Sequence, residues 1–84
     1  MNLTIQLIHG QFNTKDALDL VTKMIDAKIK FHESRINSFC EEEDVKMREN
    51  KIKTLQKDLH EARKLIESNL EINIESEIVL SEKN

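Results

Sequence analysis

The sequence predicts an α+β fold, predominantly helical, with an antiparallel helical hairpin flanked by an N-terminal and a C-terminal β-strand in the order β-α-α-β. Three observations predict it. Apolar and polar residues alternate near both ends of the chain, the signature of half-covered strands. An apolar stripe repeats every seven residues between Val45 and Ile66, the signature of a helix seam. Between them the apolar phase slips by one residue near 38–44, which places a break between two helices.

The elements follow in order. In the first strand, 2–8, Leu3, Ile5 and Leu7 share one face and Asn2, Thr4 and Gln6 the other. Gly10, the one glycine, is expected to make the turn that ends it. The first helix is expected over 14–39. Asn13 is a good N-cap, Asp16 three residues on completes a pattern like a capping box, and Phe12 with Ala17 has the spacing of a hydrophobic staple. Asp19–Lys23 and Asp26–Lys30 are i,i+4 pairs in the favourable order. The second helix is expected over 44–69. Val45, Ile52, Leu59 and Ile66 occupy one seam row, Leu55 and Ala62 the other, and Arg48 and Asn69 fray its ends. Asp44 is the preferred N-cap, with Ser38 and Glu41 as a second capping box, so the interhelical boundary lies within 38–44. The acids Glu41–Asp44 suit a helix start, where negative charge meets the positive end of the macrodipole. The second strand is expected over 71–80, with Ile72, Ile74, Ser76, Ile78 and Leu80 on one face and Glu71, Asn73, Glu75 and Glu77 on the other. A helical hairpin returns the chain to its start, so the strands pair antiparallel. The chain of 84 residues, 1–84, reads as a single domain.

Composition narrows the function. One cysteine, Cys40, cannot close an intrachain bridge and fits a reducing compartment. No apolar run reaches the ~18 residues that span a bilayer. Met1–Ile8 alternates and lacks the basic start of a signal peptide. The expected location is therefore cytoplasmic, with no membrane partner. Net charge is −3 with 35% charged residues, a solvated helical surface rather than a polyanion-binding composition. Tyr and Trp are absent and Phe occurs three times, little aromatic surface for stacking bases or flat cofactors.

Catalytic and metal-binding patterns are scarce. His9, His32 and His60 fall in different elements, without the spacing of a zinc site. His32 reads as a partly buried seam residue. Cys40 lies eight residues from His32, ~12 Å along a straight helix, too far to act as a nucleophile–base pair. Consecutive acids at 41–44 lack the alternation and glycine of a calcium loop. The expectation is no catalytic residue, no cofactor and no metal, hence no enzyme.

The stretch Gln11–His32, with Phe12-Asn13-Thr14-Lys15-Asp16-Ala17 and Lys28-Ile29-Lys30-Phe31-His32, followed by the charged helix Arg48–Leu59, resembles small uncharacterised bacterial helical-hairpin proteins. The resemblance covers about half the chain. This sequence lacks their Pro after the N-cap and their Gly in the interhelical loop. The resemblance carries no assigned function, and so no site residues.

The expected function is a non-catalytic, small oligomeric interaction or structural protein. The partner is a second copy, a homodimer first of all, or another protein. More apolar residues lie on the strands than one helix covers, and Leu20, Met24, Ala27 and Phe31 form a helix flank that a single hairpin partner leaves bare. The expected interface is therefore Leu20, Met24, Ala27, Phe31, Ile72, Ile74 and Ile78, with the helical contact preferred. The alternative is a nucleic-acid-associated regulator. Residues 28–57 hold eight Lys/Arg against six acids, a mildly basic distal hairpin. The acidic tip at 41–44, with Glu49 and Asp58, weighs against it.

Overall fold

The computed structural model describes residues 1–36 and 41–83. Strand β1 (Asn2–Asn13) is followed by helix α1 (Thr14–Arg35), helix α2 (Glu42–Glu67) and strand β2 (Glu71–Ser81). The two strands pair antiparallel in a two-stranded sheet, the β-α-α-β arrangement read from the sequence.

The first strand corrects the sequence reading most. It runs through Gly10 to Asn13 instead of ending at Ile8. A bulge explains how. Gln6 pairs with Glu77 and Ile8 with Ser76, so Leu7 is an extra residue with no partner. The sequence reading puts Leu7 on the apolar face with Leu3 and Ile5; the bulge gives that place to Ile8. Beyond it the alternation resumes. Cross-strand partners share a face, so Leu3, Ile5, Ile8 and Phe12 stand with Leu80, Ile78, Ser76, Ile74 and Ile72 on one side. Ile8, not Leu7, is the buried member of the pair. Gly10 makes no turn. It sits opposite Ile74 at φ +155°, a conformation that side-chain-bearing residues avoid, and the Phe12 ring comes within 3.9 Å of where a Cβ would be.

Helix α1 starts as the sequence indicates: the Asn13 side chain accepts a hydrogen bond from the Asp16 backbone N–H at 2.8 Å. It ends at Arg35, short of the expected 39; Ser38, Phe39 and Cys40 lie outside the described residues. Helix α2 starts at Glu42, with Glu41 at the N-cap making no side-chain cap. Asp44, preferred as the cap, instead lies in the first turn with Glu42 and Glu43, where the macrodipole rewards all three. Its C-terminus comes at Glu67 because Ser68 and Asn69 turn their side chains onto the Leu65 carbonyl, each at 2.8 Å. The Thr14 hydroxyl donates to the Asn69 carbonyl at 2.8 Å, stitching the start of α1 to the chain leaving α2.

The α2 seam matches its heptad. Val45, Arg48, Ile52, Leu55, Leu59 and Ala62 are half-buried and Ile66 is 3% exposed, while the intervening positions are exposed. Along α1 the half-buried row is Leu18, Val21, Ile25 and Ile29, with His32 at its distal end.

Little else is covered. Among the described residues the buried apolar ones are Ile8 of β1, Ala17 near the start of α1 and Ile66 near the end of α2. The Cα framework measures 45 × 34 × 14 Å. A 26-residue helix is ~39 Å long and a 12-residue strand ~40 Å, so the two arms cannot lie end to end in that envelope and must meet at an angle. Two helices side by side, ~9 Å between axes, by themselves fill a thickness of 14 Å. Among the described residues nothing covers the outer part of the ribbon, where Leu3, Ile5, Ile78 and Leu80 are exposed.

Candidate functional site

Burial falls away along the ribbon from its junction with the hairpin. On the ribbon, Ile8 is buried and Ile72 and Ile74 are half-buried, but Leu3, Ile5, Ile78 and Leu80 are exposed on the same apolar face. The opposite face is polar, with His9 Nδ1 3.4 Å from the Glu75 carboxylate and Gln6 beside Glu77. One side of the ribbon is therefore apolar along its length but covered only in the part that holds Ile8, Ile72 and Ile74.

On the hairpin, side chains ~100° apart along each helix decide which flank is apolar. Leu20, Met24, Ala27 and Phe31 lie on one flank of α1; Leu20 is half-buried and the other three are exposed. The neighbouring row, Lys28 and His32, lines a groove of about 550 Å³ together with Met47, Asn50, Lys51, Thr54 and Leu55 of α2. The apolar flank of α1 and the Met47 side of α2 thus belong to one face of the hairpin. The other face is polar: Lys15, Asp16, Leu18, Asp19, Thr22 and Arg63 line a depression there.

The sequence-predicted residues are distributed accordingly. Ile72, Ile74 and Ile78 share the ribbon face, and Leu20, Met24, Ala27 and Phe31 share the hairpin flank. The groove beside that flank was not legible as a site. Lys28 comes from α1 and Lys51, Met47 and Leu55 from α2, and nothing in the spacing of one helix names its neighbour on the other.

Charge in the groove has one sign. His32 is 3% exposed, and its Nδ1 accepts from Arg48 Nη1 at 3.2 Å. Burial, then the nearby Lys28, Arg48 and Lys51, hold the imidazole below its usual pKa. Lys28 and Arg48 lie over the Phe31 ring, 5.1 and 5.9 Å from its centre, and the His32 ring meets Phe31 edge-on at 5.7 Å. Three lysines outside the groove have acids, Lys23 with Asp19 and Lys30 with Asp26, both at 3.0 Å and both pairs legible in the sequence, and Lys46 with Glu42 at 3.5 Å; Lys15, Lys53, Lys57 and Lys64 have none among the described residues. Among the described residues, Lys28, Arg48 and Lys51 have no carboxylate within ion-pair distance.

No protein-family model, curated protein or solved structure matches this chain. Function must be argued from its own surfaces. His60 is exposed on α2, far along the chain from the other two histidines, and Cys40 lies outside the described residues. Among the described residues no group of three or more His, Cys, Asp or Glu is placed to hold a metal ion. No described helix is long and apolar enough to cross a membrane.

Proposed function

We propose that this chain is a non-catalytic interaction protein whose working form is a homo-oligomer, with a two-fold dimer the simplest case. One observation carries the reading: the chain has too much surface for its mass. A folded monomer of 9.9 kDa is expected to expose ~5,200 Å². This chain exposes 6887 Å². Two copies that each lost the surplus of ~1,700 Å² would share an interface in the range of obligate dimers, ~2,000–5,000 Å² in total. The radius of gyration agrees, 15.7 Å against ~12 Å for a globule of 84 residues.

The surface to be covered is the ribbon face first, Ile72, Ile74 and Ile78 with Leu3, Ile5 and Leu80. The α1 flank Leu20, Met24, Ala27 and Phe31 continues it on the hairpin. Two-fold packing through the distal end of that flank would bring two sets of Lys28, Arg48 and Lys51 together, a cost in like-charge repulsion. The ribbon face carries no such cost. Its single thiol fits the cytoplasm, where we place it.

The test is the solution mass by light scattering at micromolar concentration. A dimer is expected, and Ile5→Asp combined with Ile78→Asp should halve the mass. A monomer whose cooperative melt is independent of concentration would sink the reading.

A further inference from the structure

We infer that the groove between the distal halves of α1 and α2 is a binding site for a small amphipathic anion, an acid group on an apolar body. This goes beyond the dimer reading and stands on different observations.

The groove has the two parts such a ligand requires. Its floor is apolar, from Met47 and Leu55 and the aliphatic stems of Lys28 and Lys51. About 550 Å³ lies within the range of small-molecule sites, ~300–1,000 Å³. Its polar groups are donors. Lys28 and Lys51 bring ammonium groups with no carboxylate partner among the described residues. His32 brings a directed N–H. A guanidinium only donates, so the 3.2 Å contact from Arg48 makes Nδ1 the acceptor. The proton of the neutral ring is then on Nε2. That nitrogen has no protein partner among the described residues and is open to water, since no buried side-chain nitrogen or oxygen among them lacks a hydrogen bond. A ring N–H open to water in a groove that two lysines without carboxylate partners also line is complementary to an oxyanion. An extended nucleic acid fits less well. Among the described residues no aromatic ring other than His32 lines the groove, and the neighbouring Phe31 is already engaged by Lys28 and Arg48.

The experiment titrates the full chain with decanoate below its micellar concentration, with decyltrimethylammonium and inorganic phosphate in parallel. The readout is NMR of methionine methyl groups. There are three methionines, of which Met47 lines the groove and Met1 stands at the far end of the ribbon. Expected is a saturable shift of Met47 with decanoate, no shift of Met1, and weak or no response to the cation of the same chain length. Lys28→Glu with Lys51→Glu should weaken decanoate roughly tenfold or more, while Lys28→Arg with Lys51→Arg should retain it. Circular dichroism of each variant checks the fold, and the arginine pair keeps the test valid if the glutamate pair unfolds. Equal binding of the cation would overturn the proposal, leaving only an apolar crevice. So would the absence of saturable binding. So would a wild-type dimer that ignores decanoate and loses mass in the folded glutamate variant, since the groove would then belong to the subunit interface. Light scattering on the same samples separates the two readings: a monomer that binds decanoate sinks the dimer and keeps the groove.

Discussion

The hairpin and the ribbon are of similar length and begin from similarly amphipathic sequence, yet they end in different states. The hairpin closes its own seam, with every a/d position of α2 from Val45 to Ile66 at least half-buried. The ribbon leaves Leu3, Ile5, Ile78 and Leu80 exposed on one face. The reason is geometric. A helix satisfies its backbone internally and presents a stripe, so one neighbouring helix covers it. Paired strands satisfy each other's backbone edge to edge, but their side chains point normal to that pairing and need a separate layer. The difference teaches that two elements close a helical arm and cannot close a β arm.

The sharpest way to break this comparison is a pair of truncations. Ile66→Ala, at the junction, should cost about 2–4 kcal/mol in chemical denaturation, transfer and cavity combined. Leu3→Ala, at the ribbon end, should cost under about 1 kcal/mol if that face stays wet. A cost for Leu3→Ala that approaches that of Ile66→Ala, and grows with protein concentration, would show the ribbon face covered in solution, as the dimer requires.

Gly10→Ala comes next. At φ +155° the new Cβ is strained whatever space it finds, and about 1–3 kcal/mol should be lost. The loss should fall on the ribbon: hydrogen exchange should quicken in β1 and β2 before it does in the helices. Uniform quickening would mean that the two arms unfold as one unit.

Asn13→Ala, at the joint between the arms, should cost about 1 kcal/mol by freeing the Asp16 N–H, and Asn13→Asp should restore most of it. An unchanged melting temperature in the alanine variant would show that the cap contributes nothing there.

The smallest effect concerns His32. Its pKa is held below the usual imidazole value of about 6.5 by burial and by Lys28, Arg48 and Lys51. The unfolded chain therefore takes up the proton first. Stability should be full above that value and fall as pH drops through it toward the folded pKa. Comparing melts at neutral pH and near pH 5.5 for the wild type and His32→Gln isolates this ring. Equal acid sensitivity of the two would show that His32 is not the titrating group.

Some features were legible because they are local. The Asn13 cap, the Asp19–Lys23 and Asp26–Lys30 pairs and the seven-residue seam each depend on residues within a few turns of one another, so spacing alone places them. The one-residue slip between the Leu18–Ile25–His32 row and the Val45–Ile52 row was enough to require two helices. His32 was expected partly buried and is almost fully so, because Arg48 at the frayed end of the α2 seam reaches its Nδ1.

The sequence by itself thus determined element types, their order and the apolar character of each face, since these follow from backbone period and neighbouring side chains. Only the tertiary structure decided that Leu7 is bulged out and Gly10 lies in the strand, because that register is set by Glu77, Ser76 and Ile74, more than sixty residues away. Only it decided that Lys28 and Lys51 share a groove with Met47, because the rotation of one helix about its axis is fixed by packing against the other. Only it decided that the apolar face of the ribbon is covered at Ile8 and bare at Leu3, Ile5, Ile78 and Leu80, because which part of a strand lies against the helices depends on contacts between residues far apart in the chain.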